Sequence, residues 1–168
     1  MKRGINTKCL HLEDEEGCFD NYGSLSYPIY QTATYAHPAV GESTGYDYSR
    51  LQNPTREHLE KIVAALEDGI DAIALSSGMA AITLLMEIFK PGDHVIVDSD
   101  LYGGSIRLFS NVSEKNNITF SRVDCHKEKV EAYITENTKA IYIETPTNPM
   151  MNVTDIEAMG KIAHERGL

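Results

Sequence analysis

From Asn53 onward, short apolar runs alternate with segments of helical period, and this alternation limits the fold more than any other feature of the chain. Asn53-Pro54 reads as an N-cap followed by proline at the first helical position. Leu59, Ile62, Val63 and Leu66 then give residues 54–67 one apolar face, with Gly69 as the C-cap. Residues 70–75 read as a strand, Ser76-Ser77-Gly78 as a turn, and 79–89 as an apolar helix stopped by Lys90-Pro91-Gly92-Asp93. Further strands are predicted over 94–97, 118–123 and 140–144, and helices over 104–111, 126–135 and 154–166. Thr154 and Glu157 have the spacing of a capping box. Strands separated by helices of about ten residues need crossover connections, which implies βαβ units and a mostly parallel sheet covered by helices. The fold class is α/β, and the alternation calls for a further strand after the last helix.

Residues 1–53 have a different texture. Tyr22-Gly23-Ser24, Tyr27-Pro28, His37-Pro38, Gly41 and Gly45 punctuate a stretch without sustained period. An irregular arm suits such residues, and an arm must lie on its own domain or on a second subunit. The expected organisation is therefore an arm over 1–53 and the first part of an α/β domain over 54–168.

Fifteen basic residues against 25 acidic ones give a net charge of −10, which disfavours nucleic acid and anionic membrane surfaces as partners. No apolar run approaches the roughly 18–20 residues of a membrane span, and Met1-Lys2-Arg3 is not followed by the apolar stretch of a secretory signal. The three cysteines, Cys9, Cys18 and Cys125, are widely spaced, so neither a disulfide framework nor a zinc site is expected and a cytoplasmic location fits. Arg56-Glu57-His58-Leu59-Glu60 is not H-E-x-x-H, and Cys9-x-His11 is a lone pair; no metal is expected.

Open α/β sheets bind ligands beyond the carboxyl ends of their strands. After residue 75, Ser76-Ser77-Gly78-Met79 leads straight into a helix, where small residues and free N–H groups favour an anion. An ordinary βα turn with a serine cap accounts for the same residues. After residue 97, Asp98-Ser99-Asp100-Leu101-Tyr102-Gly103-Gly104-Ser105 places an aromatic ring in a glycine-bearing loop. That ring is either a stacking surface for a planar ligand or a half-buried loop tyrosine. After residue 144, Thr145-Pro146-Thr147-Asn148-Pro149 stiffens the chain around Asn148, presenting its amide or simply making a turn. In the arm, Tyr46-Asp47-Tyr48-Ser49-Arg50 puts a hydroxyl and a guanidinium two residues apart. On extended backbone both point one way and grip a phosphate; solvated loop side chains are the plain alternative.

Taken in order, Tyr48-Ser49-Arg50 with Asn53-Pro54-Thr55, Ser76-Ser77-Gly78-Met79-Ala80, Tyr102-Gly103-Gly104-Ser105 and Glu144-Thr145-Pro146-Thr147-Asn148-Pro149 resemble the pyridoxal-phosphate (PLP) dependent transsulfuration enzymes. That family includes cystathionine γ-synthase, cystathionine γ- and β-lyases, methionine γ-lyase and homoserine-ester sulfhydrylases, and the likeness runs over nearly the whole chain. It implies the large domain of a fold type I, aspartate-aminotransferase-like enzyme, incomplete at its C-terminal side. It also implies pyridoxal 5'-phosphate as cofactor, small amino-acid substrates, and a homotetramer (a dimer of dimers) with shared active sites. By the same resemblance the backbone of Gly78 and Met79 holds the phosphate, Tyr102 stacks on the pyridine ring, and Asn148 bonds its 3′ oxygen. Tyr48 and Arg50 reach the phosphate of the neighbouring subunit, and Arg107 lies near the distal substrate carboxylate. The family's Schiff-base lysine and the aspartate facing the pyridine nitrogen belong after position 168, so the chain alone is expected to be inactive. A chain that binds PLP or a partner subunit without catalysis is the alternative of another class.

Within the family, no cysteine follows Tyr102-Gly103-Gly104, unlike typical methionine γ-lyases. Leu51 stands where some γ-synthases have an arginine for a succinyl ester. Cystathionine γ-synthase or γ-lyase chemistry is the expectation, with methionine γ-lyase, cystathionine β-lyase or O-acetylhomoserine sulfhydrylase as alternatives.

Overall fold

The computed structural model describes residues 4–10 and 22–168. The opening Met1-Lys2-Arg3, His11 and Cys18 lie outside the described residues. The chain divides into two compact units, Met1–Leu75 and Ser76–Leu168.

In the first unit, α1 (Ile5–Lys8) packs on α2 (Pro54–Leu66). Helix α2 begins where Asn53 and Pro54 place it, with the Asn53 side chain accepting the N–H of Thr55 at 2.9 Å. Its end differs from expectation. Asp68, not Gly69, takes the left-handed conformation (φ 50°), and the Gly69 N–H bonds back to the Ala64 carbonyl. The arm is irregular, with one isolated antiparallel bridge between Thr34 and Tyr48. Residues 70–75 do not form the expected strand. A strand needs a neighbouring strand for its backbone groups, and among the described residues none pairs with this segment; the Ala74 N–H donates instead to Oε1 of Glu60 at 2.8 Å, and Ile70 and Ile73 stay exposed.

The second unit holds three parallel strands, β1 (His94–Asp98), β2 (Thr119–Val123) and β3 (Thr138–Tyr142), in the order β2-β1-β3. All five residues of β1 are buried, as a central strand covered on both faces requires. Alternation along β1 sorts the core. Val95 and Val97 join Met86, Leu101, Phe109 and Ile118 on one face, whereas Ile96 joins Val123, Cys125 and Val130 on the other. Helices α3 (Gly78–Met86) and α4 (Gly103–Leu108) serve the first face through Met86, Ile82 and Ile106; α5 (Ile156–Arg166) serves the second through Met159. Cys9 is exposed and Cys125 buried, and both are free thiols. No helix among the described residues is long and apolar enough to cross a membrane.

Three predicted helices are corrected. Residues 104–111 start as α4 but pass into a π-helical turn, Phe109–Ser113, and then a 3-10 turn, Glu114–Asn116. Residues 126–135 form turns and a short 3-10 helix, Val130–Tyr133. Their apolar residues bunch within a single turn, too few to hold a helix by packing. In α5 the N-cap is Asp155, whose side chain accepts the Ala158 N–H at 3.0 Å. Thr154 is not free to cap, because its buried hydroxyl faces the Asp98 carboxylate at 3.4 Å.

Candidate active site at the carboxyl edge of the sheet

Strand β1 ends at Asp98, and the chain reaches Tyr102 four residues later at the start of α4. Helix α3 begins at Gly78, with Ser77 as N-cap; the serine oxygen accepts the Ala80 N–H at 3.1 Å. The first N–H groups of a helix have no acceptor within it, and a side chain at Gly78 would meet nothing within 4 Å. The first turn of α3 thus faces open space with donors available to an anion.

The Tyr102 ring stands beside that turn, and Gly104 is the reason it fits. A Cβ on Gly104 would lie 2.4 Å from Cε1 of Tyr102 and 2.8 Å from Sδ of Met79. Ring and thioether therefore close over the same bare Cα. Only glycine leaves that room, while the ring itself remains 46% exposed and able to stack. Nη1 of Arg107 comes within 3.5 Å of a Cβ on Gly103, one turn along the same exposed surface of α4.

After β3, residues 143–155 return across this edge, stitched to the β1 loop by acidic side chains. The Tyr102 N–H donates to Oε2 of Glu144 at 3.0 Å. The Thr147 hydroxyl and the Met150 N–H both donate to Oδ2 of Asp100, at 2.5 and 3.0 Å. Asp98 accepts the Asp100 N–H at 3.2 Å, and burial raises the pKa of its carboxyl above the usual value. The exposed Asn148 sits within this pinned loop, flanked by cis peptide bonds at Thr145–Pro146 and Asn148–Pro149. Next to the edge, burial pushes the Cys125 thiol up to about 12, which keeps it a protonated core residue rather than a nucleophile.

In the first unit, Tyr48 and Arg50 do not sit on one extended strand as expected. Tyr48 makes the bridge to Thr34, and the chain then turns, its carbonyl accepting the N–H groups of Leu51 and Gln52 at 2.9 Å each. The turn still brings the pair together, since the Arg50 guanidinium lies 5.4 Å from the Tyr48 ring centroid. Asn53 braces this turn by donating to the hydroxyls of Ser49 and Tyr35 and to the Tyr30 carbonyl. The Tyr46 hydroxyl donates to Glu57, an interaction that raises the tyrosine pKa; Lys61 and Tyr46 hold Glu57 below the ordinary carboxylate value.

Met79 and Tyr102 both close on Gly104, Asn148 is tied to Tyr102 through its loop, and Tyr48 pairs with Arg50 in the other unit. Asp100, Gly104 and Glu144 are further parts of this arrangement, to which the sequence alone assigns no individual role. Their signal is faint: acidic residues just past a strand end, beside a glycine pair that fits no phosphate-binding fingerprint. No cluster of side chains that could hold a metal occurs among the described residues.

The sequence profile of the Cys/Met metabolism PLP-dependent enzymes matches residues 6–168. A cystathionine gamma-synthase/O-acetylhomoserine (thiol)-lyase of Bacillus subtilis (strain 168) is 50% identical over 100% of this chain and 45% of its own length. A cystathionine gamma-lyase of the same organism is also 50% identical, over 87% of this chain and 39% of its own. The crystal structure of cystathionine gamma-lyase from Lactobacillus plantarum complexed with L-serine superposes with a TM-score of 0.86 at 41% identity, covering 99% of this chain and 43% of that one. The chain spans less than half the length of these relatives. With its parallel sheet and the four segments noted above, it belongs to the Cys/Met metabolism PLP-dependent enzyme family.

Proposed function

We propose that these residues supply the phosphate cradle and stacking face of a PLP-dependent transsulfuration enzyme. It would act by γ-replacement or elimination on a homoserine- or cysteine-derived amino acid, as a cystathionine γ-synthase or γ-lyase. One observation carries the reading: the Tyr102 ring and Met79 close over Gly104 beside the open first turn of α3. An anion-binding helix start and an exposed aromatic face are thus offered to one ligand, and PLP joins a phosphate to a planar ring. When bound, the cofactor supplies an electron sink for carbanion chemistry at the substrate.

The chain's own groups bind and orient. Gly78 and Met79 donate backbone N–H groups to the phosphate, and Tyr102 holds the ring by its face. The Asn148 amide bonds the ring oxygen, and Arg107 meets the distal carboxylate of the substrate. Tyr48 and Arg50 grip the phosphate in a neighbouring subunit, within a homo-oligomer with shared sites. The arm over 1–53 is the subunit-crossing part and 54–168 the start of the cofactor domain, in a cytoplasmic enzyme.

The lysine that attaches the cofactor lies outside these residues in this reading. Lys90 precedes β1 and Lys139 is the second residue of β3, so both stand at the edge of the sheet opposite Tyr102. The test is borohydride reduction of the complete protein with PLP, followed by peptide mapping. Label on a single lysine beyond Leu168 is expected; label on a lysine within residues 1–168 overturns the reading.

A further inference from the structure

We propose that Asp100 is a positioning residue of the cofactor site, latching the loop that presents Asn148 onto the loop that presents Tyr102. The proposal rests on the roles assigned above to those two residues. Asp100 stands two residues before Tyr102, and its Oδ2 accepts from the Thr147 hydroxyl at 2.5 Å and the Met150 N–H at 3.0 Å. These donors bracket Asn148, one residue before it and two after, and neither bond uses the Asn148 amide. The loop is a stiff object to hold. Thr147 is 1% exposed, its N–H donates to the Asn152 carbonyl at 2.9 Å, and its hydroxyl oxygen accepts the Asn152 N–H at 2.9 Å. Asp100 is itself aimed, since its N–H donates to the buried Asp98 at 3.2 Å.

A second tie runs the other way, from Glu144 at the base of the Asn148 loop to the Tyr102 N–H at 3.0 Å. Two carboxylates on different loops thus each reach across to the opposite backbone. Neither loop can shift along the sheet edge without breaking a charge-assisted hydrogen bond. Precision of this kind matters at a site where a displacement of about 1 Å costs much of the effect of a well-placed group. An uncharged oxygen at position 100 could still accept both donors, so Asp100→Asn keeps the latch in weaker form and Asp100→Ala removes it.

The test uses the complete protein as Asp100→Ala, Asp100→Asn, Asn148→Ala and the Asp100→Ala/Asn148→Ala double variant. PLP affinity is measured by absorbance titration, and amide hydrogen exchange is followed over residues 145–152 without cofactor. Asp100→Ala is expected to weaken PLP about tenfold and to speed exchange at Met150 and Met151 by at least about tenfold. Asp100→Asn should return both to within about threefold, and Asp100→Ala should add nothing in the Asn148→Ala background. Native affinity with native exchange in Asp100→Ala, or losses that simply add in the double variant, would overturn the latch. Should Asp100→Ala fail to fold, Thr147→Val, which removes one of the two donors, must still speed exchange at Met151, or the latch is wrong. If Asn148→Ala alone leaves PLP affinity unchanged, the role of Asn148 fails, while exchange in Asp100→Ala still decides the latch.

Discussion

The two edges of the three-stranded sheet are built to opposite ends. At the amino edge, polar groups are spent on one another: the buried His94 bonds Thr138 Oγ1 through Nδ1 at 2.8 Å and Ser121 Oγ through Nε2 at 2.9 Å. Each of the three strands contributes one member, and the ring nitrogens have nothing left for a ligand. At the carboxyl edge, carboxylates tie loops together while the first turn of α3, the Tyr102 face and the Asn148 side chain stay exposed. Both edges carry polar residues near buried strands. What separates a structural cluster from a candidate site is whether the polar groups are used up within the chain.

Substitutions should divide along the same line. The largest effect is expected from Gly104→Val, whose Cβ would fall 2.4 Å from the Tyr102 ring. The ring must swing away from its place over Gly104, and PLP affinity should fall at least as far as on removal of the ring, by roughly tenfold or more, about 1.4 kcal/mol at the least. Equilibrium titration of the complete protein checks this; unchanged affinity would mean the ring is not part of the site. Next comes His94→Ala at the closed edge, which takes the imidazole from the Ser121 hydroxyl and leaves Thr138 only its bonds to Thr135, and should cost about 1–3 kcal/mol of stability in denaturant unfolding. Cofactor affinity should be untouched, and a matching loss of affinity would erase the distinction between the edges.

A pH effect follows from the same histidine. Burial lowers its pKa in the fold, so the unfolded chain takes up the proton first as pH falls. Stability contributed by neutral His94 is full above about pH 6.5, is lost as pH drops below that value, and levels off once the lowered folded pKa is passed. Unfolding midpoints measured from pH 8 downward should show this slope in the native protein and a shallower one in His94→Gln. Equal slopes would remove the histidine from the account.

Much of this fold was legible because its signals are local. Asn53-Pro54 and Ser77-Gly78 mark helix starts by side chain and backbone alone, and the apolar run Val95-Ile96-Val97 marks β1 whatever its neighbours. Where context decides, local reading fails. Residues 70–75 are mostly apolar but find no pairing strand among the described residues. Thr154 looked like a cap, yet its hydroxyl is engaged by Asp98, 56 residues away, and the neighbouring Asp155 caps instead. The site divides in the same manner. Tyr102 and Asn148 stand out within their own loops, whereas the bonds from Asp100 to Thr147 and Met150 join residues 47 and 50 apart. No spacing rule reaches across such a gap.

The stacking face is the most direct point of attack on the central claim. PLP titrations of the complete protein as Tyr102→Phe and Tyr102→Ala separate the ring from its hydroxyl, with unfolding midpoints recorded alongside. Phenylalanine keeps the face and should bind within about twofold of the native protein; alanine removes it and should lose roughly tenfold, near the 0.5–1.5 kcal/mol of an aromatic pair. Alanine binding as tightly as tyrosine, with the fold intact, would contradict the assignment of this edge as the cofactor site.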